Sequence, residues 1–113
     1  MYGIEARESD VGMRVELWGE YDLFSLSDLR KTLNGVLGLQ RPTLVDLSGI
    51  TFLDLVSARE LAVCAQLHAH RLILRNPSPQ VTASLEAFGM ANWVRFYFDT
   101  DHEEFPVFSG TSF

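Results

Sequence analysis

A chain of 113 residues suits one hydrophobic core, which usually serves about 100 to 200 residues, so a single domain over 1–113 is expected. Apolar residues make up 47% and charged residues 21%, a globular balance that excludes disorder as a description of the whole. Nine basic against fifteen acidic side chains leave a net charge of −6, which disfavours nucleic acid, because gripping a phosphate backbone takes clustered Lys and Arg.

Residues 3 to 8 alternate, Ile4 and Ala6 against Glu5 and Arg7, and the turn formers "SDVG" at 9 to 12 precede renewed alternation at Met13, Val15 and Leu17. A hairpin is expected. In "GEYDLFSLSDLRKTLNGVLG", Leu26, Leu29, Leu33, Val36 and Leu37 fall at helical spacing, with Ser25 and Asp28 fitting a capping box. The first helix is therefore expected to start near Ser27, with Gly35 and Gly38 loosening its end. Past Arg41-Pro42, "TLVDLS" reads as a short strand covered on at least one face.

After Gly49 and "ITFLD", the residues Leu55, Ala58, Leu61, Ala62, Ala65 and Ala69 recur at three- and four-residue steps, predicting a second helix over about 55 to 70. "RLILR" at 71 to 75 predicts a strand bracketed by arginines, and Ser78-Pro79 supplies an N-cap and a first-turn proline. Val81, Leu85 and Phe88 define a third helix, Gly89 suits its C-terminal stop, and "WVRFYF" at 93 to 98 has the content of a last strand.

This order, β-β-α-β-α-β-α-β, implies an α/β fold with a mostly parallel sheet of about five strands, right-handed crossovers, one antiparallel N-terminal edge and three to four helices. Such sheets place their sites beyond the carboxyl ends of the strands. Asp22 follows the second strand and Asp54 the third, so both are expected at that rim, with Asp54 opening the exposed first turn of helix two.

Cys64 has no second cysteine, which suits a reducing compartment, and it reads as a buried small hydrophobe. Cys64 and His68 share a helix face, yet no second ligand pair follows, so no metal is expected there. Asp22, Asp46 and Asp54 could gather round a hard cation, although rim carboxylates are commonly just solvated. No Gly-rich phosphate loop, His-Glu-x-x-His or nucleophile elbow appears, so neither catalysis nor a cofactor is expected. No apolar run approaches the roughly 18 residues of a membrane span, and residues 1 to 10 lack a signal pattern, which together predict a cytoplasmic protein off the membrane. Trp18, opposite in parity to Val15 and Leu17, is a candidate exposed aromatic that either covers a helix or marks an interface, a homodimer included.

Three stretches resemble the STAS domains, the family of sulfate transporter and anti-sigma factor antagonist modules. "VELWGEYDLFSLSDLRKTL" looks like the family's strand, Gly-Glu-x-Asp loop and first helix; "PTLVDLSGITFLD" like its central strand and acidic turn; "LRNPSPQVTASLEAFGM" like its fourth strand and third helix. The resemblance covers residues 3 to 99 and leaves 100 to 113 as a tail. In the antagonist branch a serine or threonine two positions after the turn's aspartate is phosphorylated by a kinase that is itself the anti-sigma factor, and phosphate abolishes binding. With Asp54 as that aspartate, the acceptor position is Val56, Leu55 replaces a usually small polar residue, and Ser57 stands one residue too late.

The resemblance implies a partner-binding rim of Asp22, Asp54, Leu55, Val56, Ser57 and Ala58, with an anti-sigma factor or kinase-like ATPase as partner and transcription as the regulated process. Two readings of Leu55 and Val56 stay open, namely apolar area offered to a partner or first-turn core. Ser57 is either a displaced phosphoacceptor or a small residue bonded to backbone. Alternatives are a phosphorylation-independent STAS scaffold or ligand sensor, and more distantly a receiver-like domain phosphorylated on Asp54. The latter needs a lysine after a late strand, and the one lysine, Lys31, falls within helix one.

Overall fold

The computed structural model describes residues 1–68 and 70–87 and the backbone of residues 96–97. The elements run β1 (Tyr2–Glu8), β2 (Met13–Tyr21), α1 (Leu26–Leu37), β3 (Thr43–Leu53), α2 (Leu55–Leu67), β4 (Leu72–Arg75), α3 (Pro79–Glu86) and β5 (Phe96–Tyr97). The strands form one sheet in the order β1-β2-β3-β4-β5. β1 and β2 are antiparallel, and every later neighbour is parallel. This is the α/β arrangement that the element order implies, because each helical crossover must return the chain to the same sheet edge before the next strand starts.

Alternation in β2 buries Met13, Val15, Leu17 and Tyr21, and those side chains join Val45, Leu47, Leu72 and Leu74 from β3 and β4 in one core. The helices cover this face. α1 contributes Leu29, Leu33, Val36 and Leu37, α2 contributes Ala58, Leu61, Ala62 and Ala65, and α3 contributes Val81 and Leu85. Each fully buried Leu stabilises by roughly 1.5–3 kcal/mol. The small alanines of α2 let its backbone come close to the sheet. On the opposite sheet face Leu44 and Ile73, adjacent in register, are also buried.

Several boundaries differ from the sequence reading. α1 starts at Leu26, and Ser25 makes no side-chain cap to it, so the Ser25 and Asp28 box does not form. Ser25 instead turns back on its own loop, where its hydroxyl accepts from the Asp22 N–H at 2.9 Å and donates to the Asp22 carbonyl at 3.0 Å. The Asp28 carboxylate accepts from the Tyr2 hydroxyl, tying α1 to β1. α2 stops at Leu67, short of residue 70, with His68 as its C-cap. Arg75 ends β4 from inside the strand and is buried, while Arg71 lies outside it. Ser78 caps α3 as expected, accepting from the Val81 N–H at 3.2 Å, and Pro79 occupies the first turn. Phe88, Gly89 and the tail from residue 100 lie outside the described residues, as does most of the 93–98 strand expectation.

β3 is the largest departure. It continues through Gly49 to Leu53 because β2 offers ladder partners that far, at the cost of two register shifts between Glu16 and Glu20. Gly49 permits this. A Cβ there would come within 2.8 Å of the Trp18 Cβ and 2.9 Å of the Leu17 carbonyl oxygen. Gly19, at φ +87°, takes the left-handed twist of the same irregularity.

Candidate functional site

β2 and β3 end side by side, and the chain leaves them through Asp22 and Asp54. The Asp54 N–H donates to the Tyr21 carbonyl at 3.0 Å, so the two exits are stitched together. Asp54 is the N-cap of α2, in extended backbone conformation, and its Oδ1 accepts from the Ser57 N–H at 2.8 Å. Asp22 does equivalent work one loop away, where its Oδ1 accepts from the Phe24 N–H at 2.9 Å. Both carboxylates therefore hold local turns, which explains why a chain places an aspartate at this seam. Asp54→Ala is expected to cost about 0.5–2 kcal/mol of stability, with Asp54→Asn retaining most of it, as read by chemical denaturation.

The turn that Asp54 fixes sorts its followers by helical angle. Leu55 and Val56 point outward at 55% and 43% exposure, whereas Ser57 and Ala58 are buried. Of the six expected rim residues, the latter two therefore offer no surface. The Ser57 hydroxyl lies 3.5 Å from the Asp22 carbonyl, beneath the exit loop of β2, and a kinase could reach it only after the first turn of α2 had opened.

In that same loop, Leu23 is 67% and Phe24 92% exposed. Sequence reasoning passed over both residues, although two large apolar side chains between a strand and a helix, where polar turn formers are normal, were a usable signal. They stand out because Ser25 and Asp22 bond each other, closing a tight turn whose outer residues cannot fold back under the helix. Phe52, near the end of β3, adds 45% exposure on a neighbouring position. Next to Val56, the residues Arg30, Arg59, Glu60 and Val63 line a shallow groove of about 200 Å³ between α1 and α2. It is bridged by the Arg30 Nε to Glu60 Oε1 ion pair at 2.7 Å.

The other candidates disperse. Asp46 is paired with Arg14 at 3.1 Å and accepts from the Ser48 N–H, so it takes no part in the rim. Among the described residues no group of three His, Cys, Asp or Glu could hold a metal ion. Lys31 lines a groove with Tyr2, Gly3, Ile4, Asp28 and Thr32 beside β1, apart from Asp54. Burial, and then the neighbouring Glu60 carboxylate, push the Cys64 thiol up to about 11, so it stays protonated and a poor nucleophile at neutral pH. His68 is held below the ordinary histidine range by burial first and by Arg71 and His70 next. No helix among the described residues is long and apolar enough to cross a membrane.

A family model described as "Mlab, STAS domain" matches residues 4–96. The chain belongs to the STAS domain family. As a STAS domain it superposes on an anti-sigma factor antagonist from Mycobacterium paratuberculosis with a TM-score of 0.76 at 19% identity, over 86% of each chain. The anti-sigma factor antagonist SpoIIAA in its unphosphorylated form gives 0.64 at 19% identity, over 88% of this chain and 90% of that one. An uncharacterized DUF3478-family protein with a SpoIIAA-like fold from Shewanella loihica PV-4 gives 0.56 at 17%, over 88% of this chain and 86% of that one. No curated protein matches. At these identities the likeness to solved structures is one of fold. Within the STAS frame, the position two residues after the acidic turn's aspartate carries a half-exposed hydrocarbon, Val56, and the next hydroxyl along, on Ser57, is sealed in.

Proposed function

We propose that this STAS domain is an anti-sigma factor antagonist-like protein that regulates transcription by binding an anti-sigma factor or kinase-like ATPase through the carboxyl-end rim of its sheet. The observation that carries this reading is the run of exposed apolar side chains at one rim, Leu23, Phe24, Leu55 and Val56, on two turns whose strand exits are hydrogen-bonded to each other. Asp22 and Asp54 contribute by fixing the two turns that present them, while Ser57 and Ala58 anchor the second turn from below. Apolar area of this kind, rimmed by Arg30, Arg59 and Glu60, has the composition of an interface with a greasy centre and a charged margin.

A phosphoryl group at position 56 would bring about −1.5 to −2 charges into this apolar patch and break a contact made there. Valine carries no hydroxyl to receive it, so association at this rim is governed by the amounts of the two proteins instead of by a phosphate cycle. That property also favours, as a second reading, a phosphorylation-independent STAS scaffold whose output is assembly.

A pull-down from the source organism with wild type and Val56→Asp decides between outcomes, with bound proteins identified by mass spectrometry. An ATPase-fold regulator retained by the wild type and lost by Val56→Asp is the expected result. Recovery of no such protein, or equal recovery by both baits, overturns the proposal. Incubating the recovered partner with ATP should leave the wild type unphosphorylated and label Val56→Ser.

A further inference from the structure

We propose that the free edge of β1 is a dimerisation strand, which pairs antiparallel with β1 of a second copy about a two-fold axis passing through Ala6. β1 is the outermost strand of the sheet, and none of the described residues pairs with its outer side. Which of its backbone groups face outward follows from two hydrogen bonds. The Glu20 N–H donates to the Met1 carbonyl at 2.9 Å and the Ser9 N–H donates to the Gly12 carbonyl at 2.9 Å. In the antiparallel register that sets Tyr2 against Gly19 and Glu8 against Met13, these bonds assign the inward-facing backbone to the odd residues. The N–H and C=O groups of Tyr2, Ile4, Ala6 and Glu8 therefore point away from β2.

An isologous antiparallel pair keeps the sum of paired residue numbers constant, and the outward groups must meet one another. Three two-fold registers satisfy this near the exposed part of the strand. Centring on Glu5 sets Glu5 against its own copy, and centring on Arg7 does the same with Arg7, so both place like charges directly opposite. Centring on Ala6 sets Glu5 against Arg7 of the partner subunit, twice over by symmetry, in non-hydrogen-bonded positions where Cα atoms stand about 4.5 Å apart. Ile4 then hydrogen-bonds across to Glu8 of the partner subunit. The small Ala6 sits at the axis, where bulk would interfere. Of the registers centred on the exposed residues 5 to 7, this one alone sets opposite charges against each other, which favours it.

The charges on β1 have partners within the chain, Arg7 with Glu5 and Glu16 and Glu8 with Arg41, but none of them comes from the residue directly across the ladder. Directly across the ladder Glu5 faces Glu16 and Arg7 faces Arg14, like against like. Within the chain Arg7 reaches Glu16 diagonally and Glu5 along the same strand at 3.7 Å, yet Glu5 and Arg7 remain 53% and 54% exposed and open to a second partner. A strand guarded against self-association would carry one sign of charge along its edge, whereas alternating signs complement a copy of themselves. The same register adds a further contact. Glu8 of the partner subunit, opposite Ile4, comes beside the groove of about 420 Å³ that Ile4, Asp28 and Lys31 line between β1 and α1. Three hydrogen-bonded residue pairs and these ion pairs make a small interface, below the size of an obligate dimer, so the association is reversible and concentration-dependent.

Sedimentation velocity over a concentration series up to about 1 mM tests this at low salt. The wild type should move from monomer to dimer as concentration rises. Arg7→Glu should raise the dimer dissociation constant about tenfold or more, because two attractive pairs become repulsive, and the double variant Glu5→Arg/Arg7→Glu should restore dimerisation. Ala6→Pro removes only an outward N–H, so it should keep the circular dichroism of the wild type and lose the dimer. Should Ala6→Pro fail to fold, the charge series decides alone. A wild type that is monomeric throughout, an Arg7→Glu variant that dimerises unchanged, or a charge-swapped variant that fails to recover would each overturn the inference. Val56→Asp should dimerise normally, which separates this edge from the rim.

Discussion

Phe24→Ala is expected to weaken binding of the regulator recovered by the wild type about 30-fold, as measured by calorimetry with purified proteins, while leaving thermal stability nearly unchanged. A phenyl ring at 92% exposure contributes almost nothing to the monomer's core, so its removal should alter folding by less than about 0.5 kcal/mol. In an interface the same ring is the kind of aromatic anchor that costs about 2 kcal/mol or more when truncated, and that energy corresponds to the stated affinity ratio. Its loop is held by the Asp22 and Ser25 turn, so little ordering entropy opposes docking. Equal affinity of Phe24→Ala and wild type would remove the β2 exit loop from the contact surface.

Leu61→Ala is expected to lower stability by about 2–5 kcal/mol, a fall in melting temperature of roughly 10–30 °C for a domain of this size. Leu61 is 1% exposed in the cluster that joins α2 to the strand residues of the core, and a close-packed interior relaxes only partly around a truncated side chain. Alanine is the better helix former, so the loss would be one of packing and not of helix propensity. Leu55→Ala, on the same helix but 55% exposed, should change stability by less than about 0.5 kcal/mol. The contrast decides between the two readings of the first turn, because a Leu55 that served the core would cost as much as Leu61.

Local signals were legible where a few neighbouring residues settle the matter. Ser78 followed by Pro79 starts α3 because a hydroxyl can take the Val81 N–H and a proline needs no donor in the first turn. "SDVG" makes the hairpin, and the three- and four-residue recurrence of Leu61, Ala62 and Ala65 makes the buried stripe of α2. Ser25 and Asp28 show how a local pattern fails. Their spacing fits a capping box, but Tyr2 from a distant strand claims the Asp28 carboxylate, and Ser25 closes a loop with Asp22 instead. β3 outran its apolar signal for a similar reason, since ladder partners on β2 are invisible from β3 alone.

By itself the sequence determined the element order, the α/β class with its antiparallel edge, the two rim aspartates and the absence of a hydroxyl at position 56, because these depend on residue identity and short-range periodicity. Tertiary structure decided what is presented. The angle at which α2 meets the sheet turned Leu55 and Val56 outward and Ser57 and Ala58 inward, although all four share one helical turn. The tight exit from β2 pushed Leu23 and Phe24 into solvent. Ladder phase between β1 and β2 left the amides of Ile4, Ala6 and Glu8 facing outward. Exposure and hydrogen-bond direction are relations between segments far apart in the chain, so only their packing could assign them.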